Sequence, residues 1–163
     1  MSGIQLTSLD VSGYRNITGV GFQVLQDKFA NMKKLSLAWC DRLTQQGLMK
    51  ILEMCGIQLT SLDVSGCRNI TGAGFQVLKE KFTNLEKLSL PYCGLTQQGL
   101  LELLRMCGRK LQDLDVSWTN ITGEGLEELQ GKFVELKTQN LEFCYSISDQ
   151  GLREIINIAG PLL

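Results

Sequence analysis

The chain writes one passage twice and then a third time in looser form. Gly3 to Gly56 and Gly56 to Gly108 align almost residue for residue. Self-similarity at a fixed period restricts the fold more than any local propensity does. Each long block divides again into two shorter units of about 26 residues. The second unit shows the pattern: Met32, Leu35, Leu37, Cys40, Leu43, Thr44, Gly47, Leu48 and Ile51. The fourth repeats it through Leu85, Leu88, Leu90, Cys93, Leu95, Thr96, Gly99 and Leu100. Six such units, near 4–30, 31–56, 57–83, 84–108, 109–134 and 135–160, account for nearly the whole chain. No linker separates them, so the expectation is one domain over 1–163.

The spacing inside a unit predicts its shape. In Leu35-x-Leu37 the apolar residues are two apart, the period of a strand with one buried face. The later Gly47-Leu48-x-x-Ile51 stretch switches to three- and four-residue spacing, one face of a helix. A hydroxyl residue stands between them in every unit: Thr18, Thr44, Thr71, Thr96, Thr122 and Ser148. Such a side chain accepts a bond from the free amides of a first helical turn, so these six are read as N-caps. Each unit is then strand, turn and helix. One such unit has nothing to bury its apolar face against, and stacked neighbours supply it.

This pattern resembles the leucine-rich-repeat family, in its cysteine-containing subfamily, over about residues 4 to 160. Leu85-Glu86-Lys87-Leu88-Ser89-Leu90-Pro91-Tyr92-Cys93-Gly94-Leu95-Thr96-Gln97-Gln98-Gly99-Leu100 carries the resemblance most fully. The fold class implied is α/β: a solenoid in a horseshoe arc of six β-turn-α repeats, with a parallel concave sheet and convex helices. Three positions depart from the pattern. Tyr14 occupies the cysteine place of the first unit, Thr119 or Trp118 that of the fifth, and Gln139 stands where the sixth expects a core leucine.

Composition removes several function classes. The formal net charge is −1, and no basic stripe dominates, which argues against nucleic acid or an anionic membrane as partner. No apolar run reaches the roughly 18 residues of a membrane span. The six cysteines fall at repeat-equivalent inward places, Cys40, Cys67, Cys93 and Cys144, or at helix ends, Cys55 and Cys107. They read as small apolar core residues carrying free thiols. With no histidine and no CxxC pair, a metal site is not expected, nor is any cofactor. Buried free thiols and the absence of a visible signal peptide suggest a cytoplasmic setting. Three Asn-Ile-Thr sequons, at Asn16, Asn69 and Asn120, leave an extracellular one open. They read first as a turn Asn, a core Ile and a capping Thr.

Candidate contacts lie on the sheet face and its rim. Thr71-Gly72-Ala73-Gly74 has a faint look of a phosphate loop, but it recurs in every odd unit without a lysine and reads as helix entry. Asp10, Asp63 and Asp115 recur at the middle outward strand position, with Asn140 in the same column. Alternate rungs hold them roughly 9–10 Å apart, too far to share a metal. They form a solvated polar face or contact a partner. Trp39, Tyr92, Trp118 and Phe143 fall just after the strand at one equivalent place, held by Gly13 and Gly66 in two other units. Large aromatics there either anchor a protein partner or pack on the neighbouring turn. A ligand is expected toward Trp118, Glu142 and Phe143, where the repeats diverge most.

These observations point to a non-catalytic scaffold that binds a protein on its concave face. The family resemblance implies the substrate-recognition repeats of F-box ubiquitin-ligase subunits. Two alternatives stand beside it: the ligand-sensing repeats of an innate immune receptor, suggested by the near-identical blocks, and a ribonuclease-inhibitor-like enzyme inhibitor, suggested by the two-unit alternation. No capping unit is evident. Leu6, Leu9 and Val11 open the first rung, and Ile155, Ile158, Leu162 and Leu163 follow the last. The chain is then a piece of a longer array, or its ends associate.

Overall fold

A computed structural model describes residues 5–78 and 80–160; residue 4, Leu162 and Leu163 lie outside the described residues. Six three-residue strands, β1 (Ser8–Asp10), β2 (Lys34–Ser36), β3 (Ser61–Asp63), β4 (Lys87–Ser89), β5 (Asp113–Asp115) and β6 (Thr138–Asn140), form one sheet in sequence order. All pairs are parallel and in equivalent register: Leu9 faces Leu35, Leu35 faces Leu62, and so on to Leu114 opposite Gln139. The horseshoe architecture expected from the period is therefore present. The central leucine of β1 to β5 points inward, and Gln139 takes that place in β6. Leu35, Leu62, Leu88 and Leu114 are buried in one continuous core with Phe29, Phe82 and Phe133.

The second layer alternates. Units two, four and six carry α-helices: α1 (Gln45–Met54), α2 (Gln97–Met106) and α3 (Asp149–Ile156). Thr44, Thr96 and Ser148 cap them as expected, each Oγ accepting from the amide three residues on at 2.8–3.0 Å. Units one, three and five instead carry 3-10 segments, Val20–Lys28, Phe75–Leu78 and Glu127–Leu129. This corrects the expectation of an N-cap at Thr18, Thr71 and Thr122. Their hydroxyls accept from the amide only two residues on, at 3.4, 3.2 and 3.3 Å. The cause is the Thr-Gly-x-Gly sequence. Gly72 and Gly74 adopt φ of +86° and +81°, as do Gly123 and Gly125 at +78° and +81°. That left-handed backbone is open to glycine and closed to an α-helical first turn.

Even and odd units are stitched by backbone-to-backbone contact and glutamine side chains. A Cβ on Gly99 would meet the Thr71 carbonyl oxygen at 1.9 Å, and one on Gly47 the Thr18 oxygen at 1.9 Å. Only a glycine lets the helix start this close to the previous turn. In the other direction, Gln45 accepts from the Thr71 amide at 3.0 Å and donates to the Ala73 carbonyl at 2.6 Å. Gln97 does the same to Thr122 and Glu124.

The ends differ from one another. Leu9, Val11, Ile17 and Phe22 of the first unit are only partly buried, whereas their equivalents Leu62, Val64, Ile70 and Phe75 are fully buried. After α3 the chain folds back. The Phe133 amide donates to Ile158 O at 3.0 Å, and Ile155 and Ile158 are buried. These two isoleucines are therefore core, not an open apolar end.

The six cysteines are free and buried. Cys67, Cys93 and Cys144 donate to carbonyls of the preceding rung at 3.0–3.1 Å, to Leu37, Val64 and Val116 respectively. Burial pushes Cys67 up to about 11 and Cys55 and Cys107 up to about 12, and raises Cys40 and Cys93 as well. Thiolate is the reactive form. A disulfide-exchange reagent at pH 8 should therefore label Cys55, Cys67 and Cys107 about 100-fold more slowly in the folded than in the unfolded chain. Fast labelling of even two of them in the folded state would contradict this packing. Thr119 takes the cysteine place in unit five, buried and donating to Val116 O at 2.6 Å. Gln139 keeps a buried Oε1 with no partner. A Gln139→Leu change should stabilise the fold by about 1–2 kcal/mol in a urea titration, because an unpaired buried acceptor is costly.

Candidate functional site

The first residue past each strand's outer turn stands in the left-handed region in every rung that has an aromatic or glycine there. Gly13 and Gly66 have φ of +83° and +73°, and Trp39, Tyr92, Trp118 and Phe143 have φ of 58–60°. Among the described residues no other non-glycine side chain has positive φ. The conformation serves the solenoid, since the amide at this place bonds to the next rung. Trp39 N donates to Ser65 O at 2.6 Å, Gly66 N to Pro91 O at 2.8 Å and Trp118 N to Glu142 O at 2.9 Å. Glycine meets that need without strain. A bulky L-residue costs roughly 1–2 kcal/mol there.

The four aromatics form one ladder along the rim. Ring centroids are 5.4 Å apart for Trp39 and Tyr92, 5.2 Å for Tyr92 and Trp118, and 4.1 Å for Trp118 and Phe143. The first of these spans two rungs. Trp39 leans across Gly66, where an added Cβ would sit 2.2 Å from a ring carbon of the indole. The rings pack on one another, and each stays 39–48% exposed. Tyr145 extends the ladder, edge-on to Trp118 at 6.4 Å and tilted against Phe143 at 6.0 Å, with 79% exposure. Sequence reasoning missed it. The signal was visible, because Arg15, Asp41, Arg68, Gly94 and Asn120 occupy that place in the other five units and none is aromatic.

The acidic column has local partners. Asp63 Oδ1 accepts from the Ser65 amide at 2.9 Å and its hydroxyl at 2.5 Å. Asp115 Oδ1 accepts likewise from Ser117 at 3.0 and 2.7 Å, while its Oδ2 accepts from Asn140 Nδ2 at 3.4 Å. Asn140 in turn accepts from the Glu142 amide at 3.1 Å. The equivalent bonds from Ser12 hold the Asp10 carboxyl below its usual range. These side chains lock the turn that delivers the next rim residue: Ser65 precedes Gly66, Ser117 precedes Trp118, and Glu142 precedes Phe143. They share the sheet face with the ladder, and Glu142 is exposed beside Phe143. A shallow hollow of about 350 Å³ lies on this face, lined by Lys87, Ser89, Asp113, Asp115, Thr138 and Asn140. Among the described residues the ion pairs are Arg15–Asp41 and Arg105–Glu128, so none involves this face.

The arrangement offers a rigid aromatic strip and a polar sheet. Among the described residues no cluster of metal-ligating side chains exists. No helix among them is long and apolar enough to cross a membrane. The side chains of Asn16, Asn69 and Asn120 are exposed.

Comparison with known proteins agrees with this geometry. The family model described as leucine-rich repeat matches residues 30–52, 58–78 and 109–129. The chain carries leucine-rich repeats, and its six-stranded parallel sheet is the solenoid that such repeats build. Repeats of this family serve in general as protein-binding scaffolds without catalysis. Two relatives are similar to it. "Antagonist of mitotic exit network protein 1" of Candida glabrata is 32% identical over 93 residues, covering 55% of this chain and 18% of that protein. "F-box/LRR-repeat protein 4" of Bos taurus is 22% identical over 151 residues, covering 90% of this chain and 24% of that protein. The chain thus spans about a quarter or less of the length of these relatives.

Proposed function

We propose that the chain is a non-catalytic recognition module whose protein partner seats on the aromatic rim and the adjoining concave sheet, around Trp118, Glu142 and Phe143. The observation that carries this is the strained ladder. Gly13 and Gly66 hold the same backbone conformation, so the solenoid itself asks only for glycine. Four partly exposed aromatics stand there instead. Strain kept on a surface marks a functional site more often than a structural one, and Trp and Tyr are the side chains that dominate binding hot spots. Similarity to an F-box/LRR-repeat protein supports a substrate-recognition role within a larger assembly. The test is partner capture with Trp39→Ala, Tyr92→Ala and Trp118→Ala beside wild type. We expect loss with Trp118→Ala above all, and unchanged capture by all three removes the rim from the interface.

Association between copies is a second reading, favoured by the partly exposed Leu9, Val11, Ile17 and Phe22. A constant monomer mass in light scattering from micromolar to millimolar concentration would exclude it.

A further inference from the structure

The spacing of the ladder selects what lies along it. Successive rings are 5.4, 5.2 and 4.1 Å apart. An α-helix laid parallel to the ladder brings a side chain to the same face once per turn, about every 5.4 Å, from residues three or four apart. Its apolar stripe at i, i+4, i+7 and i+11 then meets one ring per turn. An extended segment presents alternate side chains about every 6.8 Å, and over three intervals it overshoots the rings by about one rung. A polyproline helix advances about 3.1 Å per residue, so its third-residue repeat is nearly two rungs. The helix alone keeps step.

The charge beside the rings adds a second condition. On the sheet side of rungs five and six stand Asp113, Asp115 and Glu142, and among the described residues none is in an ion pair. Asp115 and Glu142 adjoin the turn residues next to Trp118 and Phe143. Among the described residues Lys87 is the one cation lining the hollow with Asp113 and Asp115, so the carboxylates outnumber it. A helix whose stripe rests on the ladder swings its neighbouring positions over this hollow, where an ammonium or guanidinium group is complementary.

Resting on the rim reading above, we infer that the docked element is an amphipathic α-helix of a partner protein, with lysine or arginine flanking its apolar stripe. The ladder takes the stripe and the face of β5 and β6 takes the cations.

Three synthetic 15-residue peptides test this. One carries leucine at i, i+4, i+7 and i+11 with lysine and alanine elsewhere. The second has the same composition with leucine at alternate positions. The third is the first with glutamate for lysine. Fluorescence anisotropy should show the first binding at least about tenfold more tightly than either comparator, with Trp118→Ala and Asp113→Asn each weakening it about tenfold. Circular dichroism should show helicity gained on binding. Equal binding of all three peptides, no binding of any, or preference for the strand-patterned or acidic peptide overturns the helix assignment. If that happens while Trp118→Ala still abolishes partner capture, the rim remains the interface and only the nature of the docked element falls. If capture survives Trp118→Ala, the rim reading falls first.

Discussion

Gly99→Ala is expected to cost about 4 kcal/mol of folding free energy. The added Cβ would stand 1.9 Å from the Thr71 carbonyl oxygen and 3.0 Å from Gly72 Cα. An ordinary contact needs well over an ångström more. The obstacle is backbone, not a flexible side-chain tip, so the rungs themselves must part. Parting them strains the bond from the Thr96 amide to Thr71 O at 3.1 Å and the Gln97 bonds that stitch α2 to the next turn. Gly13→Ala is the control. Its Cβ would meet nothing within 4 Å, and its φ is +83°, so the cost is the left-handed conformation alone, roughly 1–2 kcal/mol. Urea titrations followed by circular dichroism separate the two. Equal midpoints would mean that the close approach of odd and even rungs contributes little.

That contact also marks where sequence reading stopped. The strands were legible because their apolar spacing has no competing interpretation: Leu35-x-Leu37 faces one core, and the register Leu35–Leu62–Leu88–Leu114 follows from the period. The caps at Thr44, Thr96 and Ser148 were legible for the same reason. The odd units were read as helices because Phe22, Phe75 and Leu126 keep helical spacing with the residues after them. The paired glycines that forbid an α-helical start read, by sequence, as plain helix entry. Apolar periodicity reports which face is buried, whereas backbone handedness decides whether the segment is α or 3-10, and only the second depends on Gly72 and Gly74.

The rim divides in the same way. Its column was visible as four aromatics and two glycines at one place. The glycines were in fact the clue to a left-handed turn, since only glycine shares such a position freely. The stack was not legible. Trp39 and Tyr92 sit two rungs apart, about 9–10 Å by strand spacing, and their rings meet at 5.4 Å only because Gly66 leaves its space to the indole. The acidic column looked like free carboxylates. Asp63 and Asp115 turn one oxygen onto Ser65 and Ser117, a local bond that residue identity at i and i+2 permits but does not compel.

Trp118→Gly should separate the two roles of the ladder more sharply than any alanine change. Glycine keeps the φ of 58° without strain and should return roughly 1–2 kcal/mol. Against this stand the ring's stacking on Tyr92 and Phe143, about 1 kcal/mol each beyond area, and the loss of the buried part of the indole, about 2 kcal/mol. The balance is a destabilisation of about 2–3 kcal/mol, with an unchanged far-ultraviolet spectrum, because Gly13 and Gly66 already show that the turn forms with glycine. Partner affinity should fall at least tenfold, as for the loss of a central hot spot. In a double-mutant cycle with Phe143→Ala, stability should show a coupling of about 1 kcal/mol, since the 4.1 Å pair is lost by either change. A variant as stable as wild type with intact affinity would mean that the strained aromatic contributes neither to folding nor to recognition. Stability lost with affinity kept would assign the ladder to the solenoid alone.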